Sequence, residues 1–564
     1  MSEFEPTQYY DAHCTKCGES TKADKLAFDF GELINKAVSK AVERPLGPDL
    51  KWEPLLGLDL RLYYTWRDLV YLYKLKADGY HPFRFTVGML RKQLKRFAKV
   101  EFSQLVGKDI DTMEYYNLVQ HIRFTNQQGQ DVDIRGLANR IKEIVDLCSP
   151  QMSPDENEVI AQFQVSVGMV EDDRGNKFAK KLEIEYEDRR RQTVRHNVCP
   201  NCGKKFYPEV GKHEEIIVGM AGSARVGKTA YLAALVDCLM KSQNGIARVV
   251  EAKNKEWEFF KSAILLKYRA GEKIDKTPFE GGGETIPLFS IEIAVLERSY
   301  IFTFIDMPGE VFDNPEDTEE DAGMDFINNE RRILNYAQMI WFCVAPEQID
   351  ADIARIRKIT NLKQDEVNTK TADVMANIRA TMDAVHLHEK MPAAILVTMS
   401  DQIIGENAAD GLFAPDVDVC REFIDGGCLN YQKTDDFCCR SKRYLDNAGE
   451  IVTAINHIFD RYSVFAVAAY GRNLPQGTQE ELDLLEINDR KDDLWNDRSD
   501  FKPIPSMVEL PFFWTLAALG KIQELKQVQR YETQGFGPWK KEVYVGDESV
   551  PVAEYEMFQQ INEE

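Results

Sequence analysis

In the second half of the chain, apolar runs recur at lengths that suit buried strands, and the segments between them carry helical spacing. Residues 215–220, EIIVGM, predict a strand buried on both faces, and 230–236, AYLAALV, predict a helix directly after it. Residues 287–296, PLFSIEIAVL, and 300–306, YIFTFID, are joined by a short turn at Glu297-Arg298 and predict an antiparallel hairpin. Two further buried strands are expected at 337–346 and 393–398, separated by a long helical stretch, and a last one at 463–469. Residues 504–519, entered through proline, predict a terminal amphipathic helix. The first half is less regular, mixing helical periodicity with short alternating stretches at 161–167 and 181–186. Its one conspicuous piece, RKQLKRFAK at 91–99, predicts a helix with cations around a stripe of Leu90, Leu94 and Phe97.

A chain of 564 residues exceeds one ordinary core, so at least two folding units are expected. The net charge of −23, with acidic residues crowding 480–500 and 542–564, disfavours nucleic-acid binding by the chain as a whole. The 91–99 run leaves a local contact with nucleic acid, an anionic membrane or an acidic partner open, although a solvated helix face is the simpler reading. The longest apolar stretch, 508–519, is broken by Glu509 and Pro511 and is too short to span a bilayer. With no signal-peptide layout at the N-terminus, a cytoplasmic protein without a transmembrane segment is expected.

Eleven cysteines do not form the pattern of a small disulfide scaffold. Four stand apart: Cys14-Thr-Lys-Cys17-Gly and Cys199-Pro-Asn-Cys202-Gly each read as a knuckle whose paired thiolates face one ion. Together they predict a closed tetrahedral Zn²⁺ site with a folding or docking role. The chain between Cys17 and Cys199 far exceeds a ribbon loop, so the ribbon is split by an inserted domain. His13 and His196 are surplus to a four-thiolate shell. Cys420, Cys428, Cys438 and Cys439 are spaced irregularly and read as buried or surface thiols.

Between the strand at 215–220 and the helix at 230–236 lies Gly222-Ser223-Ala224-Arg225-Val226-Gly227-Lys228-Thr229, which fits the phosphate-loop pattern without a mismatch. Such a loop wraps phosphates with backbone N–H groups; Lys228 reaches the β- and γ-phosphates and Thr229 offers its hydroxyl to Mg²⁺. The hairpin ends in Asp306-Met-Pro-Gly309, where Asp306 is placed to hold Mg²⁺ through water and the Gly309 amide to meet the γ-phosphate. ATPases on a purely parallel sheet do not usually set a hairpin between these two elements.

At these residues the chain resembles the translation-factor-related, Ras-like class of P-loop GTPases. The resemblance implies that Thr285, just before the first hairpin strand, is the switch threonine, with its hydroxyl on Mg²⁺; Thr277 is the alternative. It implies that Thr398-Met-Ser-Asp401 reads the base, Asp401 accepting from guanine, with Met399 where the class has lysine. It also implies that the backbone amides of Ala468 and Ala469 face the guanine oxygen. Glu310 stands where the class often carries a water-positioning glutamine, and Arg225 matches an internal arginine finger of guanylate-binding proteins. The D-M-P-G-E motif, the terminal helix and the knuckles look like the bacterial double-GTPase group of conflict and defence systems.

The expected architecture is thus α/β: a Ras-like P-loop G domain with a mixed, mostly parallel sheet over 213–522, carrying an insertion at 402–450. Beside it are expected a split four-cysteine ribbon at 1–20 and 196–212, an α+β insert at 21–195 and an acidic tail at 523–564. The expected function is a GTP-binding and GTP-hydrolysing switch of slow intrinsic turnover. GTP, Mg²⁺ and Zn²⁺ are its expected cofactors, and an unidentified protein its partner. Nucleotide-dependent self-association is left open. An ATPase signalling module and a non-hydrolysing scaffold are the alternatives.

Overall fold

The computed structural model describes residues 9–14, 19–29, 63–73, 76, 79–86, 157, 159–185, 189–200, 204–222, 226–242, 245–250, 255–272, 274, 288–306, 335–349, 391–403, 411–415, 417–446, 459, 461–471, 502–534 and 541–552. The chain divides into two compact units, Met1–Glu215 with Glu320–Ile333, and Ile216–Glu319 with Leu334–Glu564.

The first unit holds a two-stranded hairpin, β1 (Asp11–His13) and β2 (Ser20–Lys22), and a six-stranded antiparallel sheet. The sheet comprises β3 (Ala27–Asp29), β4 (Tyr63–Thr65), β5 (Tyr80–Thr86), β6 (Val159–Glu171), β7 (Lys177–Glu185) and β8 (Arg191–Val198), in the order β4-β3-β8-β7-β6-β5. The alternating stretch at 161–167 falls inside β6, and 181–185 of the stretch at 181–186 falls inside β7, residue 186 lying outside the described residues. Along β7, Phe178, Leu182 and Ile184 are buried while Lys177 and Lys181 face solvent, the pattern of a strand wet on one face. The stacked rings of Phe83 and Phe163 join β5 to β6 across the ladder. Because β8 runs from 191 to 198 inside this sheet, the expected border at 195/196 between insert and ribbon does not exist as a structural break. The basic run 91–99 lies outside the described residues.

In the second unit a seven-stranded sheet runs β10-β11-β12-β9-β13-β14-β17. Its strands are β9 (Glu214–Ala221, which begins in the last residues of the first unit), β10 (Ala247–Val250), β11 (Leu288–Val295), β12 (Arg298–Asp306), β13 (Met339–Val344), β14 (Ala393–Val397) and β17 (Tyr462–Ala466). The strands β9, β13, β14 and β17 are mutually parallel neighbours, whereas β10, β11 and β12 form an antiparallel meander at the other edge. Every residue of β13 and β14 is buried, which is why both read as unbroken apolar runs. The β11–β12 turn falls at Leu296-Glu297, one residue earlier than the sequence suggests, with Leu296 in the left-handed region at φ 52°.

The C-terminal region departs from expectation in two ways. The terminal helix is Leu510–Ala518, shorter than 504–519, and it is buried from Leu510 through Ala517 rather than amphipathic. Trp341 of β13 donates its indole N–H to Thr515 at 3.0 Å, and Phe302 and Phe465 meet Phe512 and Trp514, so the helix is part of the core. Nor is 523–564 simply a tail. Glu524–Gln534 (β18) and Lys541–Pro551 (β19) form a long antiparallel hairpin. With β15 (Ile424–Asp425) and β16 (Cys428–Asn430) they make a second sheet, ordered β15-β16-β18-β19.

Within the expected insertion at 402–450, the helix Tyr431–Asp446 packs its Phe437, Cys438, Ser441 and Leu445 inward. Ser441 accepts a bond from the Ala466 N–H of β17 at 3.0 Å, so this helix supports the last strand of the main sheet. Cys420 and Cys438 are buried and Cys439 is exposed; burial, aided by nearby carboxylates, pushes the Cys438 thiol well above its ordinary range.

Candidate nucleotide-binding site

The phosphate loop leaves the buried end of β9 and enters the helix Lys228–Lys241. Gly222, at φ 143°, lies so close to β13 that a Cβ there would stand 2.4 Å from the Cys343 carbonyl oxygen. Gly227, at φ 84°, makes the left-handed step into the helix. Lys228 is buried and donates from Nζ to the Gly222 carbonyl at 2.7 Å, so the ammonium lies across the loop where phosphate oxygens would accept instead. Thr229 sits half-buried in the first turn. Val226 is buried, whereas Ser223, Ala224 and Arg225 lie outside the described residues.

The T-M-S-D segment folds back on this loop. Thr398 is buried, and its hydroxyl lies 2.5 Å from the Val226 carbonyl and 3.2 Å from that of Val344, bridging the phosphate loop to the end of β13. Met399 adopts φ 55°, and a Cβ on Gly227 would meet its Cε at 3.2 Å; the thioether therefore packs on the loop glycine. The chain then turns through the single 3-10 turn Ser400–Gln402, which carries Asp401 with 8% exposure.

Beyond β17, Ala468 pairs with Ser506: its N–H donates to the Ser506 carbonyl at 3.0 Å and its carbonyl accepts from the Ser506 N–H at 2.8 Å. The Ala468 amide is thus spent within the fold. The Ala469 N–H, the other of the expected pair, has no hydrogen-bond partner among the described residues. Gly471, at φ 63°, closes the loop where a Cβ would lie 2.0 Å from the Ile504 carbonyl oxygen. The 504–506 segment carries no signal of this pairing in the sequence, where its entry through proline predicts the start of a helix.

Asp306 ends β12, next to β9 in the sheet. Thr277, Thr285, Gly309 and Glu310 lie outside the described residues, as do Cys17 and Cys202.

One structural feature of this site has no signal in sequence spacing. The helix Lys255–Phe260 continues through a π segment, Lys261–Leu265, into Leu266–Arg269. Arg269 Nε reaches Asp237 of the phosphate-loop helix at 2.6 Å, and Lys241 holds the other carboxylate oxygen at 2.5 Å.

In the first unit, Cys14 and Cys199 are fully buried in one cluster, packed against Phe206. Each opens a loop closed in the same way, the Cys14 N–H on the Glu19 carbonyl and the Cys199 N–H on the Lys204 carbonyl, both at 2.9 Å. His13 turns to Glu215, its Nδ1 3.0 Å and its backbone N 3.1 Å from Oε2. Among the described residues no cluster of three metal-ligating side chains occurs.

A phosphate loop leading from a central strand, an acidic residue ending the strand beside it and the T-M-S-D turn docked on the loop are the features of a P-loop unit of α/β fold. Residues 216–412 match the family described as Double-GTPase 2, which supports a P-loop GTPase fold for this segment. No curated protein matches the chain. Among solved structures, the Arl6 BBS3 small GTPase of Trypanosoma brucei with bound GppNp aligns at 12% identity and a TM-score of 0.18, over 48% of this chain and 96% of that one. The signal recognition particle receptor SRb-GTP/SRX complex of Chaetomium thermophilum aligns at 11% and 0.20, over 48% and 97%. The LeoA bacterial dynamin GTPase from ETEC aligns at 10% and 0.19, over 54% of this chain and 38% of its own. Among the described residues no helix is long and apolar enough to cross a membrane.

Proposed function

We propose that the chain is a GTP-binding and GTP-hydrolysing switch of the Ras-like class. The observation that carries this reading is the T-M-S-D turn: the Thr398 hydroxyl joins the phosphate loop to β13, and Asp401 is buried three residues on, where in this reading it meets the base. Adenine offers no matching pair of N–H groups to that carboxylate. The strand order, with one antiparallel hairpin between phosphate loop and acidic strand end, supports the same class.

In this reading the loop 222–229 wraps the phosphates, and Lys228 exchanges the Gly222 carbonyl for phosphate oxygens. Thr229, Asp306 and Thr285 would hold Mg²⁺, which when bound neutralises phosphate charge. Gly309 donates its amide to the γ-phosphate; Glu310 orients water and Arg225 offsets charge on the transferring group. A carboxylate at 310 adds negative charge beside the γ-phosphate, so intrinsic turnover is slow. Met399 supplies packing on the loop in place of the lysine side chain. GTP orders the segment around Thr285, and a protein partner reads that state.

Cys14, Cys17, Cys199 and Cys202 would together hold a structural Zn²⁺. The burial of Cys14 beside Cys199, and the matched closure of their two loops, suit that donor set. Cytoplasmic residence and a role in a bacterial defence system belong to the same proposal.

Equilibrium binding of GTP, GDP and ATP with Mg²⁺, on the full chain and on Asp401→Ala, tests the reading. Guanine preference that disappears in the variant supports it, whereas ATP binding equal to or tighter than GTP in the parent chain overturns it. Single-turnover phosphate release then separates a hydrolysing switch from a nucleotide-holding scaffold.

A further inference from the structure

Two tyrosines, widely separated in sequence, clasp the base-side loop to the helix that precedes the switch segment. Tyr268, buried in the last turn of the Leu266–Arg269 helix, donates its hydroxyl to the Ala469 carbonyl at 2.7 Å. Tyr470 donates in the opposite sense, to the Glu272 carbonyl just past that helix, at 3.0 Å. Their rings lie 5.3 Å apart at 52°. Each phenol thus satisfies a backbone carbonyl of the other's segment, and the two rings fill the space between.

The clasp acts on a loop that is otherwise held from one side. Ser506 pins Ala468, and the Ile504 N–H donates to the Tyr470 carbonyl at 3.0 Å, but these bonds leave Ala469 between them. Tyr268 holds the Ala469 carbonyl, on the residue whose N–H has no partner among the described residues. The helical side of the clasp is itself anchored, because neighbouring Arg269 bonds Asp237 of the phosphate-loop helix. The position of Ala469 is thereby referred to the same helix that carries Lys228.

We propose that Tyr268 and Tyr470 are positioning residues for base discrimination: their paired hydroxyls fix Ala469 so that its amide meets the guanine oxygen. Adenine presents an exocyclic amine at that place, a donor facing a donor. The loop must be rigid for that mismatch to count, because a loop free to move would let water separate the two groups. This inference rests on the guanine-nucleotide reading of the site and specifies what sharpens it.

The test uses the full chain with Mg²⁺, comparing GTP and ATP affinities for the parent, Tyr268→Phe, Tyr470→Phe and the double variant. Phenylalanine keeps both rings and removes only the hydroxyls. Should the Tyr268 variants fold poorly, Tyr470→Phe, at a half-exposed position, carries the same comparison. The expected result is a GTP affinity lowered about three- to tenfold with ATP affinity unchanged, the effect of one or two modest hydrogen bonds. Equal losses for both nucleotides would show a merely structural role and overturn the proposal, as would an unchanged ratio. A parent chain without guanine preference overturns the nucleotide reading itself, and is seen before any tyrosine variant is measured.

Discussion

Gly222 and Gly227 are both phosphate-loop glycines, but different constraints fix them. At 227 the left-handed φ is the main demand, with a flexible methionine as the nearest obstacle, so the added methyl of alanine meets a neighbour able to yield. At 222 the obstacle is the Cys343 carbonyl of a buried central strand, which cannot move without breaking its ladder. Gly222→Ala is therefore expected to weaken nucleotide binding more than Gly227→Ala, and to destabilise the fold by about 1–3 kcal/mol. Denaturant unfolding without nucleotide, followed by titration with GTP, reads both effects; equal penalties at the two positions would show that backbone conformation outweighs the close approach.

At Glu509, burial opposes the helix dipole. It stands at the N-terminus of the buried terminal helix, where the helix dipole favours an anion. Burial outweighs this, with Asp418 adding repulsion, and the carboxyl is raised to about 7. Between its ordinary value and 7 the folded chain holds a proton that the unfolded chain has released, so stability falls as pH rises through that window and levels off above it. Glu509→Gln should remove this dependence and stabilise the protein at pH 8 by roughly 1–3 kcal/mol. Unfolding midpoints at pH 5 and pH 8 check the sign; a variant less stable than the parent at pH 8 would mean that the anion has a partner worth more than its burial cost.

Among the elements, legibility followed burial. The strands β9, β12, β13, β14 and β17 are covered on both faces, and their apolar runs stood out without further help. The hairpin β18–β19 was not legible, because its residues are mostly exposed or half-exposed and its acidic side chains look like a solvated tail. The terminal helix misled for the converse reason: a helix buried all round loses the polar stripe by which amphipathic spacing is recognised. At the candidate site, Thr398, Asp401 and the phosphate loop carry a signal in the sequence because each belongs to a local motif. The engagement of Ala468 by Ser506 and the tyrosine clasp are contacts between distant segments, invisible to any spacing rule.

The two proposed ligands fall to different units. Cys14, Cys17, Cys199 and Cys202 all precede the boundary at Glu215, whereas the proposed nucleotide residues, from Gly222 to Ala469, all belong to the unit that begins at Ile216. A ligand stabilises the unit that binds it by mass action, about 2.7 kcal/mol at a hundredfold excess over Kd. In calorimetry of the full chain, GTP with Mg²⁺ should raise one transition, and a zinc-selective chelator should lower another and leave the first in place. Limited proteolysis run in parallel assigns each transition, by showing which unit's fragments gain protection from nucleotide and which lose it on chelation. A chelator without effect on either transition would remove the four-thiolate proposal and leave the nucleotide reading intact. If instead nucleotide and chelator moved one common transition, the two units would unfold as a single cooperative body, and the zinc site would have to be counted among the determinants of nucleotide affinity.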